Sequence, residues 1–152
     1  MTLLNIFLDP KRARVVVDSL THDGHRRLLK RHDGTPLTAT KMIALPDIHA
    51  LIAVSGRLSL LPELHSRVLS VWAASFDDLV RHMPAILDHV SRTISTVRAD
   101  PYNGDVVHLV GWSDQACRMV LATWSTADGF LSVGAERIDS GPLRATLQPT
   151  FR

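Results

Sequence analysis

Residues 41–75, KMIALPDIHALIAVSGRLSLLPELHSRVLSVWAAS, change their hydrophobic period part-way along. Up to Ser55 there are two short apolar runs, Lys41–Leu45 and Ala50–Val54, parted by Pro46-Asp47. Runs of this length bounded by turn formers read as strands, and their nearly continuous apolar character calls for burial on both faces. After Ser55-Gly56 the period becomes helical. Leu58, Leu61, Leu64, Val68, Leu69 and Trp72 recur at three- and four-residue steps, which predicts an amphipathic helix over Leu58–Ala74 with Pro62 tolerated near its first turn.

Downstream, Ser75 is placed to cap a second helix, with Asp77 and Asp78 in the first turn, where the helix dipole favours negative charge. Leu79, Met83, Leu87, Val90 and Ile94 carry its apolar stripe, which predicts a helix over Phe76–Thr96 that Pro84 should kink or split. Asp100-Pro-Tyr-Asn-Gly104 breaks the pattern. Val106–Trp112, Cys117–Trp124 and Phe130–Val133 then read as three antiparallel strands with short links, and 137–152 as a short strand or extended tail. Upstream, Leu3–Leu8 and Val15–Val17 flank the turn at Asp9-Pro10, while 19–40 is a polar excursion or ragged hairpin broken by Gly24 and Gly34. Four strands, two adjacent helices and three or more strands predict one α+β domain over 1–152. In it two stacked antiparallel sheets carry a helical pair on one face.

The chain has 152 residues, 45% hydrophobic and 21% charged, with 8 Gly and 8 Pro, which excludes disordered and collagen-like classes. A mean hydropathy of +0.08 points to a well-filled core or a buried subunit contact. No apolar run approaches the roughly 18 residues of a membrane span, and the N-terminus lacks the basic region of a secretion signal. Cys117 stands alone, so no internal disulfide framework or multi-cysteine zinc site can form, and the expected compartment is the cytoplasm, or a virion if the gene is phage-borne. Mid-strand placement makes Cys117 a small buried hydrophobe. Trp72, Trp112 and Trp124 are assigned to apolar faces.

The net charge of +2 is concentrated in His22–Asp33, where Arg26, Arg27, Lys30 and Arg31 oppose Asp23 and Asp33. With no aromatic residue to stack on bases, this segment is a weak nucleic-acid signal and reads as a solvated hairpin or a patch facing an acidic partner. Among eight histidines, His22/His25 and His82/His89 lack the i, i+4 spacing of a metal helix, so no metal and no cofactor is expected. Gly111-Trp-Ser-Asp-Gln115 fails the nucleophile-elbow pattern at its last position.

The element order and four strings resemble the proteasome-like branch of the N-terminal-nucleophile hydrolases. The strings are Thr2 behind the initiator Met, VVVDS ending at Asp18-Ser19, KMIALPDIHALIAVSG leading into a helix, and VHLVGWS before a hairpin. The resemblance spans about residues 2 to 135 and implies two stacked sheets flanked by helices. It further implies Thr2 as nucleophile once Met1 is removed, activated by its own α-amine, whose ordinary pKa of about 7.7–8 suits a general base. Asp18 would hold the catalytic lysine, and Gly56 would offer a backbone N–H to the oxyanion.

Against the family pattern, Thr35–Thr40 contains no lysine, and Lys30 and Lys41 fall outside the expected spacing. The C-terminal helices and the serine and aspartate that support the threonine have no counterpart either. The expectation is therefore a catalytically degenerate subunit acting as an oligomeric scaffold or assembly component. The alternative is a threonine peptidase or amidohydrolase using Thr2. An uncovered sheet face adds to the case for a homo-oligomer or larger assembly.

Overall fold

The computed structural model describes residues 4–22, 27–57, 59–94 and 104–126, together with the backbone of 132–133 and 143–146. Over these described residues the chain is α+β, with two antiparallel sheets and two α-helices. β1 (Leu4–Asp9) and β2 (Arg12–Val17) form a hairpin, and β8 (Leu143–Thr146) pairs along the other edge of β1. The second sheet has the order β3-β4-β5-β6-β7, from Met42–Leu45, Ala50–Ser55, Val106–Ser113, Arg118–Ser125 and Ser132–Val133. Strand runs before and after the helices thus join one sheet, β4 pairing with β5 from Ala50↔Gly111 to Ser55↔Val106.

Strand alternation gives the five-stranded sheet two buried faces. Ile52, Val54, Val107, Leu109, Ala122 and Trp124 face α1 (Leu60–Val71) and α2 (Phe76–Ile94). Their alternates Ala53, Val110 and Leu121 meet Leu4, Ile6 and Leu8 of β1. Gly111 is required where α2 starts, because a Cβ there would lie 2.3 Å from Phe76 Cδ2.

The second helix starts as its sequence dictates. Ser75 Oγ accepts the Asp78 N–H at 3.1 Å, and Asp78 Oδ2 accepts the Ala74 N–H at 3.1 Å, a reciprocal cap. The Ala74 N–H first, and then His82 and Arg81, hold the Asp78 carboxyl below its ordinary pKa. Pro84 does not split α2, which is one helix over Phe76–Ile94.

Several expectations need correction. α1 stops at Val71 because Trp72 adopts φ +54 and ends it, so Trp72 leaves the helical period and is 89% exposed instead of lying on an apolar face. Leu69 is exposed as well. Cys117 is not mid-strand; it closes the β5–β6 turn at φ +52, exposed, with β6 starting at Arg118. β2 reaches back to Arg12, because Asp9 Oδ1 accepts the N–H groups of Lys11 (2.8 Å) and Arg12 (2.9 Å) and makes the turn tight. The excursion over 19–40 has three legs, bridged at Leu20↔Thr38, His22↔Leu28 and Lys30↔Pro36. Phe130, the expected start of the last meander strand, lies outside the described residues.

Candidate functional site

The candidate site is built from β1 outward. Leu4 pairs with Val17 at the end of the first hairpin, so Asp18 follows directly on the residue opposite Leu4. Asp18 Oδ1 is ion-paired with Lys41 Nζ, and the same ammonium donates to the Leu20 carbonyl at 2.5 Å. Lys41 is only 8% exposed. Burying an ammonium is costly unless it is paired and hydrogen-bonded, and both conditions are met. The carbonyl of Lys41 accepts the Val54 N–H at 2.8 Å, which attaches the lysine to the end of β4, two residues before Gly56.

The cation that pairs with Asp18 is therefore Lys41. It stands one residue before β3, and the three-legged excursion between Ser19 and Ala39 lengthens its sequence separation from Asp18. The legs close on themselves through Thr21 N–H to the Leu37 carbonyl (3.1 Å), Leu29 N–H to the Thr21 carbonyl (2.9 Å) and Ala39 N–H to the Ser19 carbonyl (2.8 Å). The last of these returns the chain beside Ser19, which brings Lys41 next to Asp18. The sequence signal that could have found it is position relative to the strand, since Lys41 directly precedes the apolar run of β3.

Gly56 ends β4 at φ +137, a conformation that side-chain residues rarely adopt. A Cβ there would meet Asp105, 2.2 Å from Oδ1 and 2.9 Å from Cα. The need for glycine is thus set by the buried Asp105 and by the backbone angle. Asp105 Oδ1 accepts the Arg57 N–H at 2.9 Å, and Oδ2 accepts Arg57 Nε at 2.8 Å and Nη2 at 2.5 Å. Thr2 lies outside the described residues. Of the three site residues read from the sequence, Asp18 and Gly56 are described, and Lys41 links them through Val54.

No family model and no curated protein matches the chain.

Other features stand apart from this cluster. An apolar cleft of about 310 Å³ opens between the sheets among Ala13, Val15, Pro46, His49 and Met119, at the Ala50 end of β4, away from Gly56. Among the described residues no group of three or more His, Cys, Asp or Glu could hold a metal ion. No helix among them is long and apolar enough to cross a membrane. His108 is 5% exposed; its Nδ1 lies 2.9 Å from Thr123 Oγ1, while Nε2 is buried without a hydrogen-bond partner. Burial alone pushes its pKa from 6.5 down to about 4. Of the basic segment 22–33, Arg27, Lys30 and Arg31 are exposed on the excursion.

Proposed function

We propose that the chain is an N-terminal threonine hydrolase of amide bonds, using Thr2 after removal of Met1. The observation that carries this reading is the buried Lys41–Asp18 ion pair next to Val17, the residue opposite Leu4 in the first hairpin. It supplies the cation whose apparent absence argued for a degenerate subunit. In the proposed reaction the α-amine of Thr2 takes the hydroxyl proton as Oγ bonds to the carbonyl carbon of the substrate. The developing oxyanion receives the Gly56 N–H, and collapse breaks the C–N bond as the proton passes from the amine to the leaving nitrogen. Water, activated by the same amine, then splits the ester. A fixed ammonium close to an α-amine favours its neutral, proton-accepting form, the role assigned to Lys41.

Intact-mass measurement of native protein, followed by exposure to a peptide β-lactone, tests the reading. Loss of Met1 and one equivalent of label on Thr2, absent in Thr2→Ala and at least tenfold slower in Lys41→Met, is the expected result. Retained Met1 and no label would return the chain to the scaffold reading. Assembly is proposed in either case. Phe7 and Val16 are exposed on the outer face of the β1–β2 hairpin, and Leu69 and Trp72 are exposed at the end of α1. Apolar side chains on both flanks suit association of copies of the chain. Light scattering at micromolar concentration is expected to give a mass above 16.8 kDa.

A further inference from the structure

The strand β4 delivers Gly56 to the end of the sheet, and what holds the backbone there is a clasp built from the next residue. The Arg57 N–H is the far end of the peptide that Gly56 begins, and it is spent on Asp105 Oδ1 at 2.9 Å. The guanidinium of the same residue grips the other oxygen through Nε and Nη2, so both carboxylate oxygens are used by one arginine. Its remaining arm reaches the Ile94 carbonyl at 3.4 Å, at the end of α2. Asp105 is itself pinned to the residue that follows β6: its N–H donates to Thr126 Oγ1 at 2.8 Å, and its carbonyl accepts the Thr126 N–H at 2.9 Å. The carboxylate is 2% exposed and fills the space a side chain on Gly56 would occupy. One face of Gly56 is therefore closed by a buried negative charge that is ion-paired with Arg57.

We propose that Arg57 and Asp105 are positioning residues for the Gly56 N–H: Asp105 fixes the 56–57 peptide, and Arg57 cancels the carboxylate charge that would otherwise repel an oxyanion bound there. The inference rests on the reading of Gly56 as an oxyanion donor. A preorganised donor stabilises charge that develops in the transition state and not in the ground state, so the clasp acts on the rate of acylation and leaves initial binding alone. An uncompensated carboxylate against that donor works in the opposite sense at short range in a partly buried site.

The test is the acylation of Thr2 by a peptide β-lactone. In it the Oγ–acyl bond forms as the lactone C–O bond breaks, and the hydroxyl proton passes through the α-amine to the ring oxygen. Rate constant and initial binding constant are measured separately for the wild type, Arg57→Gln, Arg57→Lys and the double variant Arg57→Gln/Asp105→Asn, each with a thermal melt. Arg57→Gln is expected to lower the rate constant about ten- to a hundredfold with initial binding within about twofold. Arg57→Lys, which keeps the cation, and the double variant, which removes both charges, should each recover most of the loss. A folded Arg57→Gln that reacts at the wild-type rate overturns the inference while leaving the Thr2 reading intact. So do rates that follow melting temperature across all the variants. A wild type that takes no label at Thr2 overturns both. Should Arg57→Gln fail to fold, the double variant and Arg57→Lys decide it, and a hundredfold loss in both would sink the charge argument.

Discussion

Asp105 occupies the space beside Gly56 so closely that a Cβ on the glycine would lie 2.2 Å from its Oδ1 and 2.9 Å from its Cα. The second distance is to backbone, so no side-chain rotation relieves it, and φ +137 adds strain for any other residue. Gly56→Ala is expected to cost about 3 kcal/mol or more of stability, read as a lower urea midpoint at unchanged slope. A variant within about 0.5 kcal/mol of wild type would show that the Asp105 segment yields easily.

The Asp18–Lys41 pair gives an asymmetric mutational signature. Asp18→Ala leaves a buried ammonium with, among the described residues, the Leu20 carbonyl, whereas Lys41→Met leaves a carboxylate with more solvent access. Removing the acid should therefore cost the more, about 2–4 kcal/mol, and the double variant should regain part of it. Strictly additive losses in a double-mutant cycle would deny the coupling.

His108 makes stability depend on pH. Its pKa is about 4 in the fold and 6.5 as the ordinary value, so between these the unfolded chain binds the extra proton and stability falls as pH falls. The contribution is fully present above 6.5 and is lost on going down to about 4. Between pH 7 and 4.5 the loss should be about 2–3 kcal/mol, and His108→Met should remove that part of the slope in urea titrations. An unchanged slope in the variant would show that His108 is already protonated, or solvated, in the folded protein.

Trp72 holds a left-handed backbone angle and is almost fully exposed. Trp72→Gly relieves the angle and should raise the stability of the isolated chain by about 0.5–1 kcal/mol. In an assembly that uses this residue the same change should lower the association constant at least tenfold by light scattering. Iodide should quench Trp72 strongly and Trp124, buried in the helix-facing core, hardly at all. A stabilised variant with wild-type mass in solution would locate the contact elsewhere.

Local pattern by itself determined the elements of this protein. The switch from strand to helix after Ser55-Gly56, the cap at Ser75, the hairpin at Asp9-Pro10 and the doubly buried β4 all follow from spacing and turn chemistry between near neighbours. Tertiary structure alone decided what distant residues do to one another. It joined β3 and β4 to β5, brought Lys41 to Asp18 across 23 residues of chain, and set Asp105 against Gly56. It also ended α1 one residue before Trp72 and so exposed a side chain that the apolar stripe had claimed. Hydrophobic period and turn residues act over a few positions along the chain, and so they are written in the sequence. An ion pair or a filled Cβ position depends on where separate strands end in space, which only the packed sheet fixes.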